Sequence, residues 1–296
     1  MNLIDTLAGL PLFSPFIEFG FMRRALVACV ALGLGSAPIG TLLVLRRMSL
    51  VGDAMAHALL PGAAIGFAVA GFSLVAMGGG GFVAALLVAL LAGWVSHATA
   101  QREDASFAAF YLIALAAGVM IISTRGTPVD LMHVLFGSIL AVDDAALLLV
   151  AGVTSATLLA LALLYRPLVV ECVDPGFLRS VGGPAAAMHH GFLVLLVLNL
   201  VSGFQALGTL MAVGLMMLPA TAARFWAQEV WSLAAVAALI AMAAGAGGLL
   251  LSYHLNLPSG PSIVLLAGIA YIASLLFGRR DSLLARQLAL RWHRTA

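Results

Sequence analysis

Apolar runs of about 17–25 residues recur along the whole chain, each closed by arginine, glycine or proline. As a helix, each run covers the roughly 30 Å of hydrocarbon in a bilayer. Only helices and closed barrels satisfy the backbone polar groups there. Barrel strands would alternate polar and apolar residues in segments of about ten. These runs are apolar throughout, so the expected fold is all-α, a polytopic helical membrane protein. With 63% hydrophobic and 9% charged residues and a mean hydropathy of +1.14, the composition excludes a soluble domain carried on one anchor.

Taking arginines as cytoplasmic markers, spans fall near 25–45, 54–76, 82–100, 106–124, 144–165, 190–207, 208–224, 231–252 and 261–278. That makes eight or nine crossings. The open region is 190–224, where Gly203, Gly208, Gly214 and Pro219 interrupt the pattern and suggest a broken or re-entrant helix. On this layout eleven arginines face the cytoplasm, and Arg23, Arg24 and Arg125 lie opposite. Residues 1–296 read as one transmembrane unit: an interfacial helix over 1–20, a cytoplasmic loop over 166–190, and an amphipathic cytoplasmic tail over 279–296. The GGGG at 78–81 reads as a turn between spans. Residues 22–37 have the look of a signal peptide, but the apolar run continues to Leu45 and many spans follow, so a first transmembrane helix is the plainer reading.

All fourteen basic residues are arginine. Without a lysine, no GxxxxGK[ST] phosphate loop exists, so any ATP-driven work has to come from a partner, and the chain is read as non-catalytic. A net charge of +2 gives no sign of nucleic acid binding. Cys29 and Cys172 have no CxxC spacing and suggest neither a metal-thiolate motif nor a disulfide framework.

The polar features that stand out are in RRMSLVGDAMAHALLPG, residues 46–62. Asp53 and His57 stand at i and i+4 on one helix face, which is chelating spacing. A carboxylate reaching the membrane core costs about 2.5–3.5 kcal/mol on insertion scales, so it should face a cavity, a partner or an ion. Pro61 removes the N–H that would bond the His57 carbonyl, which weakens the turn behind the pair. The competing reading makes Asp53 a helix cap after Gly52 and His57 an ordinary packed histidine. One helix offers two ligands, too few for selective binding. A twofold dimer doubles them into a mixed O/N set that suits zinc or, with added oxygens, manganese. His97, His133, His189, His190 and His254 are weaker candidates, read as structural or interface residues. His254 is the one best placed to meet an entering ion, and His189→Ala is expected to leave transport unchanged. Asp143 and Asp144 read as solvated caps.

The interval 166–190 reads as a docking loop. Asp174 before Pro175 is a helix start and Gly182-Gly183 a stop, framing a short helix over 175–181.

The 46–62 segment resembles the signature of the zinc/manganese ABC transporter permeases, the ABC-3 family. VDLMHVLFGSILAV, VDPGFLRSVGG, GLMMLPATAARF at 214–225 and LNLPSGPSIVL at 255–265 follow in family order, so the likeness covers roughly residues 20–278. It implies a homodimeric permease of the bacterial cytoplasmic membrane. Such a permease takes a divalent ion from an extracytoplasmic binding protein and passes it inward, powered by two copies of a separate ATPase. It implies no permanently bound cofactor, the ion being cargo. Carried over, Asp53 and His57 are the intramembrane metal ligands, and Asp174, Pro175, Phe177, Arg179 and Gly182 form the ATPase contact. The likeness of VDLMHVLFG favours zinc over manganese.

Two other classes fit less well. An intramembrane metalloenzyme would need a third ligand and a general base, and no HExxH occurs. A secondary transporter would place acidic residues deep in several spans, whereas Asp53 is nearly alone and no inverted repeat is apparent.

Overall fold

The computed structural model describes residues 14–71, 73–124 and 142–285, and all the regular structure among them is helical. In chain order the helices are α1 (Ser14–Glu18), α2 (Gly20–Leu45), α3 (Ser49–Ala58), α4 (Leu60–Ala70), α5 (Leu74–Ala98), α6 (Glu103–Thr124), α7 (Asp144–Val173), α8 (Pro175–Ser180), α9 (Ala185–Leu207), α10 (Thr209–Ala223), α11 (Val230–Leu255) and α12 (Ser259–Phe277). Counting α3 and α4 as one interrupted span, eight are long and apolar enough to cross a membrane. With 15 residues, α10 reaches only about 22 Å at 1.5 Å per residue. Among the described residues the eight or nine expected spans are therefore eight long helices and one short one. The break falls at Gly208, whose φ of +89° turns α9 back into α10. Before the turn Gly203 lies against Leu32 and Ala212, and after it Met216 and Ala220 lie against Gly40. α10 thus runs alongside α2 towards the Arg46 end.

α2 is the common wall of two packed clusters. Its C-terminal half joins α3 to α6 and α9 through Leu43, Met55, Leu59, Phe107 and Phe192. Its N-terminal half joins the start of α7 and helices α10 to α12 through Cys29, Val150, Leu215, Ala241 and Ile263. Large apolar side chains such as Val75, Leu148 and Leu163 are exposed on the outside, as expected where lipid tails are as apolar as the side chains. Polar contacts sort the helix ends. Arg24 Nε lies 3.2 Å from Asp144 Oδ1 at one end, while Arg46, Glu103, Glu171 and His189 meet at the other.

Two readings from the sequence need correction. The glycines at 78–81 are inside α5, and the actual turn is at Gly71, with φ of +64°. Glycine serves here to let helices touch: a Cβ on Gly62 would lie 1.9 Å from the Gly80 carbonyl oxygen, and one on Gly80 would lie 2.2 Å from that of Gly62. The interval 166–190 is also mostly helical, since α7 continues through Pro167 to Val173 and α9 begins at Ala185. Pro167 lies inside α7 and does not end it. The expected segments at 1–13 and 286–296 and the block around His133 lie outside the described residues.

The glycine crossing is directly testable. Gly62→Val drives side-chain carbon into the α5 backbone and should cost at least the roughly 1–3 kcal/mol of an overpacked core. Gly79→Ala, with nothing within 4 Å of the added carbon, should cost almost nothing. Thermal unfolding midpoints in detergent compare the two, and equal midpoints would show that the crossing is not tight.

Candidate metal site

α3 begins at Ser49 after Met48, with no side-chain cap. Asp53 is thus one turn inside the helix, and its carboxylate does not cap it, contrary to the alternative reading above. Leu59 separates α3 from α4, and Pro61 follows in the first turn of α4, so the interruption falls where the missing N–H placed it. Two contacts hold this broken segment. A Cβ on Gly52 would meet Met216 Cε at 2.8 Å, so the back of α3 lies close against α10. A Cβ on Gly118 would lie 3.0 Å from Pro61 N, so α6 packs onto the break itself.

The pair lies on the more exposed side of α3. Asp53 Oδ1 and His57 Nε2 are 3.7 Å apart, with the side chains 61% and 31% exposed. Two ligands about 2.1 Å from one ion in tetrahedral geometry stand about 3.4 Å apart, so small rotamer adjustments bring both onto one ion. The His57 ring stacks on Tyr111 of α6, centroids 6.3 Å apart and planes 28° apart. This fixes the imidazole against a second helix. The sequence did not mark Tyr111, because it sits on another helix with no local spacing to reveal it. Arg46, the nearest cation in sequence apart from exposed Arg47, faces Glu171 and His189 and does not pair with Asp53. The ion pair of Asp53 among the described residues is with His57. No group of three or more His, Cys, Asp or Glu able to hold a metal occurs among the described residues.

The other candidates are dispersed. His189 is buried near Arg46, Glu103 and Glu171. His190 is exposed, with Nδ1 2.6 Å from the Ala186 carbonyl. His254 stands edge-on to Tyr253 in a recess with Phe21 and Asn256. His97 is in the last turn of α5. Asp143 does cap α7, accepting from Ala146 N–H at 2.7 Å.

The segment 174–182 forms as read. Asp174 Oδ1 accepts from Phe177 N–H at 2.8 Å, Pro175 occupies the first turn of α8, and Gly182 at φ +73° ends it. Leu178 is buried and anchors the helix, whereas Phe177, Arg179 and Val181 are exposed. The result is a small knob with an apolar and basic surface, held on a buried leucine.

A multi-pass bundle with an Asp–His pair one helical turn apart on an exposed helix face has the form of an integral membrane transport subunit. The chain belongs to the ABC 3 transport family, whose model matches residues 18–278. It is 33% identical over 257 residues to the manganese import system permease protein ScaB of Streptococcus parasanguinis, covering 87% of this chain and 90% of that one. It is 30% identical to the manganese transport system membrane protein MntC of Halalkalibacterium halodurans, covering 93% of each. Among solved structures it is similar to PsaBC from Streptococcus pneumoniae in complex with Fab, with a TM-score of 0.81, 29% identity, and coverage of 95% of this chain and 98% of that one.

Proposed function

We propose that this chain is the membrane permease subunit of an ATP-driven importer of divalent metal ions, and that Asp53 and His57 of two copies form one transport site on a twofold axis. The observation that carries this is the Asp53–His57 pair itself, set 3.7 Å apart on the outward face of a membrane helix. A carboxylate on such a face is costly against lipid, and a second copy with a shared cation supplies both cover and counter-charge. Leu50, Ile65 and Val69, exposed on α3 and α4, supply apolar area for that contact.

The ion comes from an extracytoplasmic binding protein, and hydrolysis is done by a separate ATPase that docks on the α8 knob. Manganese is the leading cargo. The names of the relatives favour it, and the zinc preference drawn from the sequence gains nothing from them. A mixed O/N set accepts either ion, and added oxygens suit manganese.

Reconstitution tests the division of labour. The purified chain in lipid should hydrolyse no ATP above an empty-membrane control, and metal uptake into vesicles should appear only when the ATPase subunit is added. Hydrolysis by the chain alone, in preparations free of contaminating ATPase, would overturn it. Parallel uptake of manganese and zinc ranks the two ions.

A further inference from the structure

At the end of the bundle that carries α8, charged side chains are buried together where a membrane protein could have packed leucines. Arg46, the residue that closes α2, has a side chain only 6% exposed. Its Nε donates to Cys172 Sγ at 3.2 Å, its Nη1 lies 3.0 Å from His189 Nδ1, and its Nη2 lies 3.6 Å from Glu171 Oε1. The guanidinium also lies 4.3 Å over the Phe192 ring. Glu103 at the start of α6 adds a carboxylate 3.5 Å from His189 Nε2.

The chain positions of these partners matter most. Glu171 and Cys172 are in the last turn of α7, just ahead of Asp174, where α8 starts. His189 is in the first turns of α9, just after the stop at Gly182-Gly183. One guanidinium therefore grips both stems of the segment that presents α8. On its other side Arg46 leads through a tight turn into α3. Met48 N–H bonds the Leu43 carbonyl and Arg47 N–H the Val44 carbonyl, with Arg47 in the left-handed region at φ +59°. This is the Schellman pattern, and it leaves no slack between Arg46 and the helix that bears Asp53 and His57. A second line runs through Glu103 along α6 to Tyr111, which stacks on His57.

We infer that Arg46 is a positioning residue that transmits displacement of the α8 segment to the metal-binding helix α3, with Glu171 and His189 as its anchors. The inference deepens the proposed function and rests on its assignment of α8 and of the Asp53–His57 pair. Buried ion groups are commonly replaceable by apolar side chains without loss of stability, so packing alone gives little reason for this one. A fork of donors reaching three partners on two helices suits a transmission joint, because the planar fork of arginine is rigid where lysine is a flexible point charge. The contacts also give His189 a role that the sequence did not suggest.

The test uses the complete transporter, reconstituted with its ATPase and binding protein, and reads manganese transported per ATP hydrolysed. Arg46→Met with Glu171→Leu removes the joint while keeping the volume filled and taking out one charge of each sign. The doubly substituted protein should assemble, bind manganese as wild type does, and lose roughly 3- to 30-fold in transported metal per ATP, the span that such couplings cover. Glu171→Gln, close in shape, should lose less, and Arg46→Lys should not restore the ratio. Wild-type ratios in Glu171→Gln and Arg46→Lys, or in an assembled double variant, would overturn the inference. Phe177→Asp, run alongside, separates the two levels. If it leaves transport normal, the docking assignment of α8 fails, whereas if it uncouples while the Arg46 and Glu171 variants stay wild type, only the joint fails.

Discussion

Asp53→Ala and His57→Ala should each bring metal uptake down to the level of membranes without the transporter, while the protein still inserts and assembles. In the proposed twofold site each substitution removes two of four ligands. Losing an outer-shell partner of a metal site typically costs about 10–100-fold in affinity or activity, so losing two direct ligands should exceed the upper end of that range. The side chains are 61% and 31% exposed in the single chain, so neither truncation opens a large cavity, and a loss of uptake would not reflect a fold that failed to form. Asp53→Asn sharpens the test by keeping shape while removing charge, and it should fail nearly as badly if the carboxylate is the counter-charge of a cation. Metal content of the detergent-purified permease, measured by mass spectrometry for wild type and His57→Ala, is the most direct check. Equal content together with equal uptake would remove the pair from the transport path.

The features legible in the sequence are those set by local pattern. Long apolar runs and their arginine borders marked the long helices, because crossing a bilayer imposes a length and an exclusion of charge that no tertiary contact can override. Spacing within one helix marked Asp53 and His57, and Pro61 marked the interruption behind them. Asp174, Pro175 and Gly182 marked α8, because capping and stop signals act within a few residues. Features that depend on a distant partner were not legible. In the sequence the run at 78–81 has the signature of a turn, because glycine marks turns and close helix contacts alike, and Gly62 on another helix is what distinguishes the two cases. The burial of Arg46 could not be seen either, since its contacts with Cys172 and His189 are 126 and 143 residues away in sequence. The resemblance to the family carried roles onto motif residues, but Tyr111, Glu171 and His189 lie outside those motifs.

Substitutions on α8 should separate hydrolysis from transport. Leu178 is buried and holds the helix in place, whereas Phe177 is 55% exposed on a segment that also exposes Val181. A large aromatic held in the open at a bundle end gains little there, but it is well suited to anchor an interface. Phe177→Asp would place a carboxylate in the proposed groove of the ATPase, where burying an unpaired charge is strongly unfavourable. Aromatic anchors of this kind are commonly worth about 2–4 kcal/mol, so transport per ATP should fall by well over tenfold. Arg179→Asp, reversing the exposed charge beside it, should act in the same direction. Neither change touches Asp53, His57 or the helices packed around them, so metal binding by the purified permease should stay at the wild-type level while uptake collapses. Leu178→Asp provides the contrast, because it should disturb the seating of α8 on its own chain and show as reduced thermal stability. If a Phe177→Asp, Arg179→Asp double variant still assembled with the ATPase and transported metal at the normal ratio, the ATPase would have to engage the permease somewhere other than α8.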